Sequence, residues 1–417
     1  MPMQTPIRVD GQRLWESLMR LAEIGATPKG GCRRLALSNE DRMARELFVA
    51  WAEEANCEVS VDRMGNIFAR RPGSHPSLAP VATGSHLDTQ PNGGRFDGPL
   101  GVMCGLEVVR TLADRGIETR RPIEVVAWTN EEGSRFAPPM VGSGVFAGVF
   151  DLAYGLGRTD ADGLTIGEEL RRIGFDGAQD IGSHAFGSFF EVHIEQGPIL
   201  EAHGKRIGVV SGAQAQRWYE VTVRGQDAHA GTTPMDRRRD ALVGASRIVT
   251  ELQSIGAATT DGRATVGVMR VEPNSRNTIP GEVFFSIDLR HPSDAALSDM
   301  AADMREFAAG VAKDAGLGLD IHEIYYAPPL PFDPGAKRAV TSAAQSLGLE
   351  SMEIVSGAGH DACHIARVAP TAMVFIPCAG GISHNETESA TPEDVTAGCD
   401  VLINAIVEAA NAPTAQA

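Results

Sequence analysis

Four apolar, β-branched segments of this chain each run directly into a cluster of polar residues. Continuous apolar runs of this length are typical of buried parallel strands. Helical stretches such as 101–114 lie between them, so the sequence predicts an α/β domain with a mostly parallel sheet. The runs and the polar clusters that follow them are 78–83 before GSHLDTQ, 123–128 before TNEEGS, 189–192 before HIEQG, and 371–377 before CAGGISHNE.

The segment from about 218 to 326 has a different pattern, in which strand and helix signals follow the order βαββαβ. This order is typical of a ferredoxin-like α+β unit with its own core. The α/β pattern resumes after the proline-rich stretch APPLPFDPG. Since 417 residues exceed what one core usually supports, we expect an inserted domain at 216–328 within a first domain at 1–215 and 329–417.

Composition excludes several classes of protein. A formal net charge of −17 disfavours binding to nucleic acid. The N-terminal residues mix acids with apolar side chains and predict neither a signal peptide nor a membrane span, so we expect a cytoplasmic protein. The six cysteines are scattered without CxxC spacing, which fits packing residues in a reducing compartment.

The polar clusters are expected at the carboxyl ends of the strands, where α/β sheets bind ligands. Imidazoles and carboxylates together suit zinc, manganese, cobalt or nickel. A single histidine or glutamate of this kind is more often a hydrogen-bonded or solvated structural residue. Seven together would crowd like charges at high cost without a cation. These residues are His86, Asp88, Asp97, Glu131, Glu132, His193 and His384.

The motifs of the chain resemble one known enzyme family. They are similar to those of the hydantoinase/carbamoylase branch of the M20 metallopeptidase-like family, which includes N-carbamoyl-L-amino acid hydrolases, β-ureidopropionases and allantoate amidohydrolases. The resemblance covers about 80 to 390 and implies a catalytic domain with an inserted lid and dimerisation domain. The motifs, in chain order, are GSHLDTQPNGGRFDGPLGV, TNEEGSRF, HIEQGPILE, DAHAGTTPM, NTIPGEV with DLRH, GAGHDA, and GGISHNE.

The resemblance implies a site for two divalent metal ions. His86 and His193 resemble the ligands of one ion, and Asp97 the residue that bridges the pair. Glu132 and His384 resemble the ligands of the second ion. Two such ions can activate a water molecule and polarise a carbonyl group.

Two further carboxylates receive roles from the same resemblance. Glu131 looks like the general base that takes a proton from the attacking water. Asp88, two residues after His86, is suited to accept a hydrogen bond from the second nitrogen of that imidazole and so to orient it.

The substrate-binding groups implied by the family lie in both domains. Arg290 is the expected partner of a substrate carboxylate, because a guanidinium donates two parallel hydrogen bonds. His229 would stabilise the oxyanion, and His229 and Asn277 are expected to act partly across a homodimer. We expect Gly357, Ala358 and His360 of GAGHDA to line the pocket. The implied substrate-binding set is Gln196, His229, Asn277, Arg290, Gly357, Ala358 and His360.

These expectations favour an amidohydrolase that cleaves the carbamoyl group of an N-carbamoyl-L-amino acid or of N-carbamoyl-β-alanine. Allantoate hydrolysis is the alternative within the branch, and aminopeptidase or dipeptidase activity is the alternative within the wider family. An inactive binding protein would be expected to lack the base or a ligand, whereas Glu131 and all five implied ligands are present. A metal-storage role is disfavoured, because an open coordination position suits reactivity.

Overall fold

The computed structural model of the chain describes residues 5–413. They form two compact units, one from the chain up to Gly212 with the chain from Phe332 onwards, and the other from Ala213–Pro331. The helices are α1 Gly11–Ala22, α2 Asn39–Glu54, α3 Pro99–Asp114, α4 Val141–Phe146, α5 Leu152–Leu156, α6 Ile166–Ile173, α7 Ile199–Ala202, α8 Ala241–Ala258, α9 Asp294–Ala315, α10 Pro334–Ser346, α11 Asp361–Ile365 and α12 Pro392–Asn411, with 3₁₀ turns at Met235–Arg237 and Ala379–Gly381. The strands are β1 Glu58–Val61, β2 Ile67–Arg71, β3 Val81–His86, β4 Ile123–Trp128, β5 Ser188–Ile194, β6 Ile207–Ala213, β7 Ala215–Arg224, β8 Ala228–His229, β9 Arg263–Thr265, β10 Met269–Glu272, β11 Thr278–Ile279, β12 Glu282–His291, β13 Gly318–Ala327, β14 Leu330–Pro331, β15 Ser351–Ser356 and β16 Thr371–Ile376.

The sheet of the first unit places four strand ends at one edge. Its strands follow the order β1-β2-β4-β3-β5-β16-β6, with β15 also paired to β6. The central strands β4, β3, β5 and β16 are parallel to their neighbours in this group, whereas β2 and β6 join them antiparallel. The central strands are buried along their whole length, because α3, α10 and α12 pack on the sheet together with other helices. Their carboxyl ends therefore meet, as expected for the predicted polar clusters.

The second unit is an antiparallel sheet with the strand order β10-β12-β7-β13, and β9 also pairs with β12. Along β12 exposed or half-buried residues alternate with buried ones, as a sheet covered on one face requires. The core lies between the sheet and α8 and α9. The helix α9 is capped at its N-terminus by the Ser293 side chain, which accepts a hydrogen bond from the Ala296 N–H, and at its C-terminus by Gly316, which has φ +64°.

The fold class predicted from the sequence is confirmed. The second strand of the predicted βαββαβ order, at ATVGVMRVEP, is present as two short strands, β9 and β10, which both pair with β12. Between them the Val268 N–H donates to the Ser286 hydroxyl at 3.1 Å instead of to a backbone carbonyl. The second unit, Ala213–Pro331, extends three residues beyond the predicted insertion at each end.

Two expectations from composition are also addressed by the structure. All six cysteines are free thiols, and five of them are buried. Among the described residues, no helix combines the length and hydropathy that a membrane crossing needs.

Candidate metal centre

Two buried histidines lie near the ends of the neighbouring strands β3 and β5. His86 is the last residue of β3, and its Nδ1 is 2.9 Å from the backbone oxygen of Asp88. His193 is the sixth residue of β5, and its Nδ1 is 2.9 Å from the backbone oxygen of Ile194. Since a backbone carbonyl holds Nδ1 of each ring, Nε2 is the atom that each imidazole presents to a ligand.

Asp97, in the loop between β3 and α3, faces both imidazoles. Its Oδ1 is 3.2 Å from Nε2 of His193 and 3.8 Å from Nε2 of His86. Gly98 permits this approach, because it has φ +84° and a Cβ there would overlap the His86 ring. Burial raises the pKa of Asp97, but the surrounding imidazoles outweigh burial and hold that pKa below its usual range.

The two histidines have pKa values that differ in direction. Burial lowers the pKa of His86 to about 4. Burial also lowers the pKa of His193, but the nearby Asp97 carboxylate outweighs it and raises that pKa to about 9. His193 Nε2 faces Asp97 Oδ1 at 3.2 Å, but no atom among residues 5–413 makes a well-aligned hydrogen bond with this buried nitrogen. Both the imidazole nitrogen and the carboxylate oxygen are donors that a divalent cation binds.

Two consecutive glutamates follow β4 and point to different partners. Glu131 Oε2 is 3.4 Å from Nε2 of His86. Glu132 Oε2 is 3.5 Å from Nε2 of His384, and its carboxylate accepts hydrogen bonds from the backbone and side chain of Gln90 at 3.0 and 2.6 Å. Burial raises the pKa of both glutamates well above the usual range, and neighbouring carboxylates raise it further.

The described side chains form two groups of possible ligands that share Asp97. In each group the candidate ligand atoms lie within 4.8 Å of one another. Imidazole nitrogens with carboxylate oxygens match the donors that borderline divalent metals prefer, so these residues fit a divalent metal site. The strand-held group is His86, Asp97 and His193, and the loop-held group is Asp97, Glu132 and His384.

Residues 82–408 match the family described as Peptidase family M20/M25/M40. This chain belongs to that family. An N-carbamoyl-L-amino-acid amidohydrolase of Rhizobium meliloti is 48% identical over 404 residues, which cover 97% of each protein. The crystal structure of an amidase of the hydantoinase/carbamoylase family from Burkholderia multivorans superposes with a TM-score of 0.93 at 60% identity, covering 98% of this chain and 100% of that chain. An allantoate amidohydrolase of Bacillus subtilis is 35% identical over 94% of this chain and 95% of that protein. The family resemblance drawn from the motifs is confirmed.

The M20 motif HIEQG brings Gln196 to the shared aspartate. Gln196 has φ +58°, an uncommon conformation for a residue other than glycine and one that recurs at functional sites. Its Nε2 donates a hydrogen bond to Asp97 Oδ2 at 2.8 Å. Its Oε1 is buried and lacks a partner in the described part of the chain. The amide oxygen is therefore available to a hydrogen-bond donor beside the two ligand groups.

The GAGHDA segment of this M20 chain contacts the strand-held group through His360. The His360 ring centroid is 4.5 Å from that of His193, and His360 Nε2 is 3.0 Å from the Ser356 hydroxyl. The same hydroxyl bonds to the backbone of Ala358, in the turn that also contains Gly357. His193 and His360 form a further group of possible ligands with Glu191.

Three of the expected substrate-binding residues lie in the second unit. His229 lies in β8, which pairs with β11, and Asn277 directly precedes β11. The Ala230 N–H donates to the Asn277 backbone oxygen at 2.9 Å. Arg290 lies on β12, and its Nε and Nη2 donate to the Asp288 carboxylate at 3.0 and 2.7 Å. The roles expected for these three side chains remain predictions.

The structure differs from the role predicted for Asp88. Its carboxylate Oδ1 is 3.8 Å from Nδ1 of His86, which contacts the Asp88 backbone oxygen instead. The carboxylate accepts hydrogen bonds from the backbone N–H groups of Glu131 and Glu132 at 3.3 and 3.2 Å. Buried N–H groups of a turn need acceptors, and Asp88 supplies them. Asp88 therefore holds the turn that carries both glutamates, and burial raises its pKa to about 7.

The sequence did not assign a role to several polar residues around the centre. Glu191 and Asp361 are buried carboxylates that each accept a hydrogen bond from a serine hydroxyl. Ser383 and Glu388 lie on either side of His384 and contact Asp97. A charge inside the apolar run FFEVHI was a signal for Glu191. No pattern in the sequence distinguished Glu388 from other loop glutamates.

Proposed function

We propose that this chain hydrolyses the carbamoyl C–N bond of N-carbamoyl-L-amino acids, giving the amino acid, carbon dioxide and ammonia. The observation that carries the proposal is the similarity to the Rhizobium meliloti N-carbamoyl-L-amino-acid amidohydrolase over 97% of both proteins. The grouping of Glu131 with two sets of ligands in one centre supports it. N-carbamoyl-β-alanine remains a candidate substrate, and allantoate is the alternative because of the similarity to the Bacillus subtilis enzyme.

The centre is proposed to hold two divalent ions of zinc, manganese, cobalt or nickel. His86 and His193 would bind one ion, Glu132 and His384 the other, and Asp97 would contact both. Such a pair, when bound, lowers the pKa of a water molecule and polarises the carbonyl that the water attacks.

Glu131 is proposed to be the general base. Its carboxylate lies 3.4 Å from His86 Nε2, beside the ligands and outside both ligand groups. Burial and neighbouring carboxylates raise its pKa well above the usual range, so a proton taken up on Glu131 is held and can be delivered to the leaving nitrogen. Asp88 fixes the turn through the Glu131 N–H.

The substrate is proposed to be recognised at both of its ends. Gln196 Oε1, which is buried without a partner among residues 5–413, would accept a hydrogen bond from the carbamoyl NH₂ group. Arg290 would bind the carboxylate, because a guanidinium forms two parallel hydrogen bonds with it. His229 would donate a hydrogen bond to the carbonyl oxygen of the substrate as that oxygen becomes an oxyanion. Asn277 would bind the substrate next to His229.

The assembly and location of the enzyme are also proposals. The second unit is proposed to act as a lid and dimerisation domain, so that His229 and Asn277 act partly across a homodimer in the cytoplasm. The net charge of −17 supports a small-molecule substrate over nucleic acid.

A substrate panel tests the proposed function. Ammonia release would be measured from several N-carbamoyl-L-amino acids, N-carbamoyl-β-alanine and allantoate, with manganese-, cobalt-, nickel- and zinc-loaded enzyme. We expect the highest kcat/KM for an N-carbamoyl-L-amino acid and no turnover after chelation. A higher kcat/KM for allantoate would overturn the substrate assignment, and turnover in chelator would overturn the metal requirement.

A further inference from the structure

A buried glutamate, Glu388, makes hydrogen bonds to the backbone of the loop that contains Asp97. Glu388 is 1% exposed. Its Oε1 accepts hydrogen bonds from the backbone N–H groups of Phe96 at 2.9 Å and of Asp97 at 3.1 Å. Two donors on one carboxylate oxygen fix the backbone that leads into the Asp97 side chain. Glu388 therefore acts on the position of Asp97 without belonging to either ligand group.

A serine next to His384 extends this contact to the Asp97 carboxylate. The Ser383 hydroxyl is 2.7 Å from Asp97 Oδ2 and 3.0 Å from Glu388 Oε2. Ser383, His384 and Glu388 belong to one loop between β16 and α12, so these contacts join the loop of His384 to the loop of Asp97. Gly94 closes over the same carboxylate, since a Cβ there would overlap Glu388.

His384 is more exposed than the two histidines of the strands, so its position depends more on contacts made by its neighbours in the loop. The His384 side chain is 52% exposed, and the residue has φ +52°, which is uncommon outside glycine. His86 and His193 are 1% and 0% exposed, and backbone carbonyls hold their rings. The partly buried hydrogen bond of Ser383 and the buried hydrogen bonds of Glu388 connect this loop to Asp97.

We propose that Glu388 is a positioning residue for Asp97 and His384, and that binding of the cation at the loop-held group depends on it. This inference rests on the proposed two-cation centre. Removing Glu388 leaves two buried backbone N–H groups without their acceptor and frees the His384 loop. The strand-held group retains His86 and His193 in place. Loss of Glu388 should therefore weaken one cation more than the other.

The test is a titration of metal-depleted enzyme with Co²⁺ alone. Bound cobalt per chain is measured by equilibrium dialysis, and its visible spectrum reports the coordination. We expect two cobalt ions per chain for the unaltered protein. We expect Glu388→Ala to bind the second ion at least about tenfold more weakly, the size usual for a residue that orients metal ligands, while the first ion binds within about threefold of normal.

Two further variants and one control separate positioning from loss of folding. Glu388→Gln retains an oxygen that can accept both backbone N–H groups, so we expect it to recover most of the second-ion affinity. Gly94→Ala leaves Glu388 in the sequence but displaces its carboxylate, so it should weaken the second ion as Glu388→Ala does. Glu107→Ala is the matched control, since Glu107 is also 1% exposed and accepts hydrogen bonds from Asp10, Arg13 and Thr111 away from the centre. It should lower Tm and leave cobalt binding unchanged.

The outcomes distinguish this inference from the proposed function. Normal binding of both ions by folded Glu388→Ala and Gly94→Ala would overturn the role of Glu388. Equal weakening of both ions would also overturn it, because the effect would then act through Asp97, which both groups share, and not on the loop of His384. Weakening by Glu107→Ala as well would overturn it by indicating a general loss of structure. An unaltered protein that binds fewer than two cobalt ions would instead contradict the two-cation centre.

Discussion

The two ligand groups share Asp97 but are built on different kinds of backbone. The strand-held group takes His86 and His193 from the buried central strands of the sheet. The loop-held group takes Glu132 from a turn and His384 from a loop, with the His384 side chain 52% exposed. Strand ends fix a ligand through the register of the sheet, whereas a loop needs additional buried contacts to do so.

This difference predicts unequal binding at the two groups. A ligand that is already in place loses little conformational entropy when a cation binds, and a mobile one loses more. We therefore expect the first ion to occupy the strand-held group and the second ion to bind more weakly at the loop-held group. Variants that alter one group, both groups or neither group test whether the two ions bind unequally.

The largest effect is expected from a variant that leaves the ligands of both groups unchanged. Glu131→Gln removes the proposed base without removing a ligand, so we expect kcat to fall about 10²- to 10⁴-fold with two cobalt ions still bound. Initial rates and equilibrium dialysis on the same preparation measure both. Glu107→Gln is the same substitution at a buried glutamate outside the centre and should leave kcat unchanged. Turnover near normal in Glu131→Gln would remove Glu131 from the mechanism.

The comparison itself is tested by one histidine from each group. We expect His193→Ala to weaken the first cobalt ion by at least about 100-fold, because it removes a ligand from the strand-held group. His384→Ala should leave the first ion in place and remove only the second. Cobalt binding to the two variants measures the difference. If both variants lose both ions equally, the two groups are not distinct.

A smaller effect is expected from the second unit. Arg290→Ala should raise KM for N-carbamoyl-L-amino acids by about 10- to 100-fold, because two charge-assisted hydrogen bonds to the carboxylate are lost. Cobalt stoichiometry should not change, since no ligand of either group is altered. Arg263→Ala is the control, because it removes the arginine opposite Arg290 in the β9–β12 register. It should leave KM unchanged. An unchanged KM in Arg290→Ala would assign the carboxylate to another residue.

The smallest effect is expected from removing one hydrogen bond to a ligand of the loop-held group. Gln90 donates two hydrogen bonds to Glu132, and Gln90→Ala removes the one from the side chain. We expect about fivefold weaker binding of the second cobalt ion, which corresponds to about 1 kcal/mol for one hydrogen bond, and no change for the first. Weakening of the first ion alone would reverse the assignment of the two groups.

The strand-held group was the part of the centre most readily predicted from the sequence. Apolar runs that end in polar residues fix both the parallel strands and the edge where their ends meet, so His86 and His193 could be placed together. The same pattern located Glu131, Glu132 and His384 near that edge. The family motifs then separated the expected roles of Glu131 and Glu132, which neighbouring positions alone could not do.

The contacts around the ligands could not be predicted in the same way. Asp88 was expected to orient His86, but two backbone N–H groups in the turn after β4 take its carboxylate. Glu388 bonds to the backbone of residues nearly three hundred positions earlier in the chain, at a separation of 291 for Asp97. Sequence periodicity carries no information about such pairs, because they depend on how two loops meet.

Anomalous diffraction from crystals of the manganese- or zinc-loaded protein would locate the cations and identify their ligands. We expect two peaks per chain, one contacting His86, Asp97 and His193 and the other contacting Asp97, Glu132 and His384. A single peak, two peaks without Asp97 in common, or a cation held by Glu191, His193 and His360 would contradict a centre in which one aspartate joins a strand-held and a loop-held ion.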